Sequence, residues 1–158
     1  MKPFGAALVL LGGFAVYWEF SRTQRRQLAL IRDLAAALKQ LAGEIRWKLL
    51  PLPEAITHLC DRRISGMFFQ KISQLVESGT TLQNAWELAF RDLPVEIGGI
   101  LLRMEWGGDL ARQEGSVLYA ARQMTELGEK KQDALHQRQK LCAAAAMSAA
   151  GLLVLILM

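Results

Sequence analysis

The 158-residue chain contains only two cysteines and two histidines, and this scarcity excludes several kinds of site. Cys60 and Cys142 cannot build a disulfide framework. Since Cys142 lies at the edge of an apolar run, we expect both residues to be reduced thiols, as in a cytoplasmic domain. A zinc site would require both cysteines to converge with His58 and His136. Two surface histidines and two packing thiols are the simpler interpretation, so we expect no metal.

The sequence also lacks the motifs on which catalysis depends. The glycine pairs Gly98-Gly99 and Gly107-Gly108 have neither the spacing nor the Lys-Ser/Thr of a phosphate-binding loop. No His-Glu-x-x-His helix is present, and two histidines with scattered serines do not assemble a nucleophile, a base and an orienting acid. The sequence therefore predicts a protein that is not an enzyme and binds no cofactor.

Charge is absent from one end of the chain and nearly absent from the other. Of the 34 charged residues, only Lys2 and Glu19 lie outside residues 21–140. The basic surplus is concentrated beside the two apolar ends, and no stacking aromatics alternate with the arginines. Nucleic-acid binding is therefore not expected, whereas contact with anionic membrane headgroups would explain the surplus.

Two long apolar segments predict membrane anchors. Residues 141–158 (LCAAAAMSAAGLLVLILM) would span about 27 Å as a helix, close to the thickness of a bilayer core. A buried C-terminal helix of a soluble bundle is the alternative. Residues 4–18 (FGAALVLLGGFAVYW) are shorter, and a cleaved signal peptide is the alternative there. We expect an N-terminal anchor at residues 1–20, a central domain at residues 21–140 and a C-terminal anchor at residues 141–158.

Basic residues flank both predicted anchors on their inner sides. The positive-inside rule then places the central domain in the cytoplasm and both termini across the membrane. The predicted membrane-flanking residues are Arg22, Arg25, Arg26, Lys130, Lys131, Arg138 and Lys140.

The central domain has helical rather than strand periodicity. Apolar residues recur at steps of three and four from Leu28 to Ile45, and this helix should end before Pro51. Thr80 and Gln83 predict a capping box for a following helix, and Asp109 predicts the N-cap of the last one. We expect an all-α, membrane-anchored bundle of about six helices. The pattern places Trp86 in the core and leaves Trp47 open between core and partner contact.

Residues 38–47 (LKQLAGEIRW), followed by residues 51–55 (PLPEA), resemble the signature of the stage III sporulation protein AB family of endospore-forming bacteria. The Ala85-Trp86-Glu87 helix, the break before Asp109 and the terminal GLLVLILM also resemble the family. The resemblance runs through nearly the whole chain.

This resemblance implies a membrane protein of the mother cell, in the outer membrane around the forespore. Such proteins belong to a secretion-like channel complex joining the two compartments, and their cytoplasmic part is similar to the F domain of the type II secretion and type IV pilus platform protein. The implied partners are a neighbouring-gene secretion-type ATPase, similar to stage III sporulation protein AA, and other membrane proteins of the complex. The family brings no catalytic residues.

We therefore expect a scaffold that couples this ATPase to the membrane complex. Geometry places the partner contact at the turn farthest from the membrane, and its candidate residues are Arg46, Trp47, Lys48 and Glu54. The alternative is a membrane-tethered regulatory or adaptor bundle unrelated to secretion.

Overall fold

The computed structural model describes the backbone of residues 2–48 and 51–157, and the side chains of residues 21–47, 51–142, 144, 145 and 148. These described ranges form six α-helices and one π-helical turn and contain no strand, so the prediction of an all-α fold of about six helices is confirmed. The elements are α1 (Lys2–Gly43), the π-helical turn (Glu44–Lys48), α2 (Leu52–Thr57), α3 (Gly66–Glu77), α4 (Leu82–Phe90), α5 (Val95–Leu101) and α6 (Leu110–Leu157).

The two long helices, α1 and α6, run antiparallel and form the frame of the molecule. A Cβ placed on Gly128 would lie 3.3 Å from the Cγ2 atom of Ile31. Near the other end of the pair, Arg46 contacts Glu114. These two contacts define the register of the pair. The helix α1 continues out of the N-terminal apolar segment, and α6 runs unbroken into the C-terminal one.

The core lies where the short helices pack against this frame. The predicted apolar stripe, which runs along α1 into the π-helical turn, is buried, with Ile31, Leu38 and Ile45 at most 1% exposed. Trp86 is fully buried, which confirms its assignment to the core. Its indole Nε1 donates to the carbonyl of Leu101 at 2.9 Å, so the end of α5 is tied to α4. The remaining helices contribute further core residues, among them Ile56, Phe69, Phe90, Ile97, Val117, Ala121 and Met124.

The helix ends follow the predicted capping chemistry with one correction. Asp109 caps α6 by accepting from the backbone N–H of Arg112 at 3.1 Å, as expected. The predicted capping box of Thr80 and Gln83 is wrong, because Thr81 is the N-cap of α4 and accepts from the backbone N–H of Asn84. Thr80 instead belongs to the C-terminal turn of α3, because its backbone N–H donates to the Leu75 carbonyl. The N-cap of α4 is therefore the next residue, Thr81.

Within the described residues, no helix is both long enough and apolar enough to cross a membrane. The two predicted anchors, residues 1–20 and 141–158, have side chains that lie largely outside the described set. Cys60 and Cys142 are both free, in agreement with the predicted absence of a disulfide.

Candidate partner-binding surface

An exposed tryptophan marks the end of the frame that lies opposite the apolar termini. Trp47 is 79% exposed, which excludes the core, one of the two alternatives that the sequence left open, and leaves partner contact as a prediction. The guanidinium carbon of Arg46 lies 5.2 Å from the centroid of the Trp47 ring, within cation–π distance. Arg46 Nη1 also lies 3.7 Å from Glu114 Oε1 of α6. We call Arg46, Trp47 and Glu114 the distal surface.

The other two candidate partner residues do not extend the distal surface. Glu54 is exposed in the first turn of α2 and lines a separate groove of 190 Å³ between α2 and α3. That groove has Ile72 and Val76 among its apolar walls and Glu77 as a second acidic residue. The side chain of Lys48 lies outside the described residues.

A network of polar side chains connects α1 to the segment between α2 and α3, and it begins at Asp33 of α1. Arg62, in the connection between α2 and α3, donates from Nη2 and Nε to Asp33 Oδ1 at 2.8 and 3.3 Å. Ser65 donates to Asp33 Oδ2 from both its backbone N–H, at 2.8 Å, and its hydroxyl, at 2.6 Å. Since Ser65 is fully buried, Asp33 satisfies polar groups that have no access to water.

The network continues along α1 to the π-helical turn. Arg62 Nη1 donates to Gln40 Oε1 at 3.0 Å, and Gln40 Nε2 donates to Glu44 Oε1 at 3.2 Å. Glu44, the first residue of the π-helical turn, lies with its other oxygen 3.1 Å from His58 Nδ1. The network therefore holds the α2–α3 connection against α1 and fixes the start of the turn that carries Trp47.

Sequence reasoning did not find this network. A signal was present, because Asp33, Gln40 and Glu44 recur at spacings of seven and four and therefore share one flank of the apolar stripe. Their partners could not be read from the sequence, since Arg62 and Ser65 meet Asp33 across about 30 intervening residues that fold back on α1.

Burial raises the pKa of the Asp33 carboxyl, but the hydrogen bonds from Ser65 and Arg62 outweigh burial and lower the pKa below its ordinary value. A depressed pKa means that the folded state favours the charged carboxylate. The Asp33 carboxylate therefore stabilises the folded state at pH values above the unfolded-state pKa of about 4. This stabilisation is lost as the pH falls through the lower folded-state pKa.

Replacing Asp33 with Asn should lower the free energy of unfolding at pH 7 by about 1–3 kcal/mol, because the amide offers fewer acceptors to Ser65 and leaves the Arg62 charge uncompensated. The difference from the native chain should shrink as the pH falls below about 4, because the carboxyl is protonated first in the unfolded state and then, at its lower folded-state pKa, in the folded state. Urea unfolding at a series of pH values measures both effects. Asp92→Asn, at an exposed carboxylate, is the control and should change little; equal losses in the two variants would contradict the role of the network.

The predicted membrane-flanking residues do not all have the same surroundings. Lys131 forms an ion pair with Glu96 of α5, so its ammonium group faces the bundle. The other members of the set are exposed, namely Arg22, Arg25, Arg26, Lys130, Arg138 and Lys140. Among the described residues, no three His, Cys, Asp or Glu side chains converge as a metal site would require.

Comparison with protein-family models gave a match to Stage III sporulation protein AB over residues 2–98. Comparison with curated proteins and with solved structures gave no match. The matched residues include α1, the π-helical turn and the whole polar network, and they cover more than half of the chain. The chain therefore belongs to the stage III sporulation protein AB family and has a role in sporulation.

Proposed function

We propose that this protein is a non-enzymatic structural component of a secretion-like channel complex between the mother cell and the forespore. In this role it couples a cytoplasmic secretion-type ATPase, similar to stage III sporulation protein AA, to other membrane proteins of the complex. Family membership supports the sporulation role. The coupling role is supported chiefly by the arrangement of α1 and α6.

The observation that carries the proposal is the register of the two long helices. Because Ile31 lies opposite Gly128 and Arg46 contacts Glu114, an antiparallel pair brings residue 21 to about the level of residue 138. Both apolar segments then leave the bundle at the same end. This geometry favours a helical hairpin in which residues 1–20 and 141–158 are the two anchors in one membrane.

The exposed basic residues at that end, such as Arg22, Arg25 and Lys140, are suited to anionic headgroups on the cytoplasmic side. We therefore propose the outer forespore membrane as the location, with residues 21–140 in the mother-cell cytoplasm. A bundle similar to the F domain of secretion platform proteins would meet a cytoplasmic motor in this orientation.

The distal surface is the proposed point of contact with the ATPase. Trp47 lies about 40 Å along α1 from residue 21, so it extends well beyond the headgroup layer. A large exposed aromatic residue beside an arginine has the composition typical of interface hot spots. Since α1 is continuous from this turn to the N-terminal segment, a force applied at the distal surface would be transmitted along α1 to the membrane without unfolding the helix.

Replacing Trp47 with Ala should weaken binding of the ATPase about tenfold to a hundredfold, because hot-spot aromatic residues contribute about 2 kcal/mol or more. The measurement is titration of the full chain, reconstituted in lipid nanodiscs, with the ATPase encoded by the neighbouring gene. The fold is not expected to change, since most of the indole surface is already in water.

Tyr119→Ala is the matched control, because Tyr119 is an aromatic residue that is 65% exposed on α6 and lies outside the distal surface. It should leave the affinity unchanged. Equal affinity of the Trp47 variant and the native chain would remove the distal surface from the proposal. Absence of binding by the native chain would instead favour the membrane-tethered regulatory or adaptor bundle.

A further inference from the structure

A lateral groove of 320 Å³ runs between α1 and α6. Its α1 wall includes the exposed residues Arg32, Ala36 and Lys39. Small residues lie along it, namely Ala35 and Ala36 of α1 and Gly128 of α6. The groove therefore offers a surface that another helix can approach closely.

The two edges of the lateral groove carry opposite charge. On α1, Arg32 and Lys39 line the groove, and Arg32 Nη2 also donates to Gln132 Oε1 of α6 at 2.5 Å. Asp33, the only acidic residue between positions 21 and 43, is engaged by Arg62 and Ser65. On α6, the charged residue in the lining is Glu129. Two further exposed acids follow the same helix one turn to either side, Glu126 and Asp133.

This charge pattern restricts what can occupy the groove. An acidic helix would place like charge against Glu129 and a basic helix would place like charge against Arg32 and Lys39, so neither complements both edges. A suitable partner presents an acidic edge and a basic edge side by side with the same spacing. A second copy of this chain has that pattern, because a two-fold axis brings the same surface to both sides of an interface. The basic edge of each copy then faces the acidic edge of the other.

The direction of the two-fold axis follows from the two ends of the chain. If both copies are anchored in one membrane, as proposed above, the axis runs parallel to the long helices. The α1 edge of each copy then faces the α6 edge of the other at the same height. Arg32 and Glu129 lie at nearly the same height, since Ile31 is opposite Gly128, so each Arg32 would meet the Glu129 of the other copy.

We propose that the lateral groove is a self-association surface through which two copies pair side by side, with Arg32 of each chain against Glu129 of the other. This pairing rests on the proposed common membrane orientation but not on any contact with the ATPase. It also leaves the distal surfaces of both copies uncovered, because Trp47 does not line the groove.

The test is energy transfer between donor-labelled and acceptor-labelled full chains in liposomes, measured while the protein-to-lipid ratio is varied. Flotation of the same liposomes reports separately whether the chain is bound to the membrane. The native chain should show saturable transfer. Arg32→Glu should weaken association about tenfold or more by placing like charges opposite each other, and so should Glu129→Arg.

The double variant, Arg32→Glu with Glu129→Arg, should recover most of the native association because the charges are exchanged but still opposite. Ala36→Trp should block close approach, whereas Ala111→Trp, at an exposed alanine on α6 outside the groove, should not. Transfer no higher than random proximity in membrane-bound native chain would overturn the proposal. Saturable transfer that is unaffected by Arg32→Glu and Ala36→Trp would also overturn it.

Discussion

Replacing Trp86 with Ala should lower the free energy of unfolding by about 3–5 kcal/mol, the cost typical of removing a buried aromatic residue. Trp86 is fully buried and packs edge-to-face against Phe90 and Trp106, with ring centroids 4.7 and 4.5 Å apart. Its indole N–H also donates to Leu101. The substitution would open a cavity at the centre of the bundle and leave that carbonyl without the indole donor. Urea unfolding of the full chain followed by circular dichroism measures the loss.

Trp86 and Trp106 together provide an internal control for this prediction. The indole nitrogen of Trp106 is buried and is the one buried side-chain nitrogen or oxygen in the described residues without a hydrogen-bond partner. Trp86→Phe should therefore cost about 1 kcal/mol more than Trp106→Phe, since only the first substitution breaks a hydrogen bond. Equal costs for the two phenylalanine variants would show that the Leu101 contact contributes nothing to stability.

Replacing Gly66 with Ala should destabilise the protein by about 1–3 kcal/mol or more, although alanine is ordinarily the better helix former. A Cβ at this position would lie 2.4 Å from the backbone carbonyl oxygen of Cys60. Neither atom belongs to a flexible side chain, so the α2–α3 connection would have to move. That movement would also disturb Ser65, which precedes Gly66 and donates to Asp33. Thermal unfolding compared with the native chain measures the effect.

Gly115→Ala is the matched control and should change stability in the opposite direction. Gly115 lies within α6 and has open space around the position of a Cβ. Its replacement should therefore stabilise the chain by about 0.5–1 kcal/mol through helix propensity alone. If Gly66→Ala also stabilised the chain, the close approach of α3 to the α2–α3 connection would be refuted.

Local patterns were sufficient to predict the helices and much of the core. The spacing of Ile31, Leu38 and Ile45 predicted the buried face of α1 and of the π-helical turn. Trp86 was placed correctly because it lies on an apolar stripe of α4. The N-cap at Asp109 followed from its position before a periodic segment. Each of these inferences depends on residues within a few turns of one another, where helical geometry fixes the neighbours.

The features that escaped prediction depend on contacts between distant parts of the chain. The network from Asp33 to His58 forms only after α2 and the connection following it fold back on α1. The exposure of Trp47 likewise depends on which helices cover the end of α1. The choice between Thr80 and Thr81 was missed for a local reason, since the C-terminal turn of α3 takes up Thr80.

The pairing of α1 with α6 has a consequence for how the protein folds during its synthesis on the ribosome. Ile31 and Gly128 are neighbours in space but are separated in sequence by most of the central domain. Contacts between α1 and α6 therefore contribute strongly to the contact order of the fold. Because α6 follows every other described helix in the chain, the part of α1 that α6 covers stays exposed until α6 has left the exit tunnel. The bundle can therefore be completed only after α6 has emerged, and we expect the part of α1 that α6 covers to be open to chaperones or to the membrane during that interval.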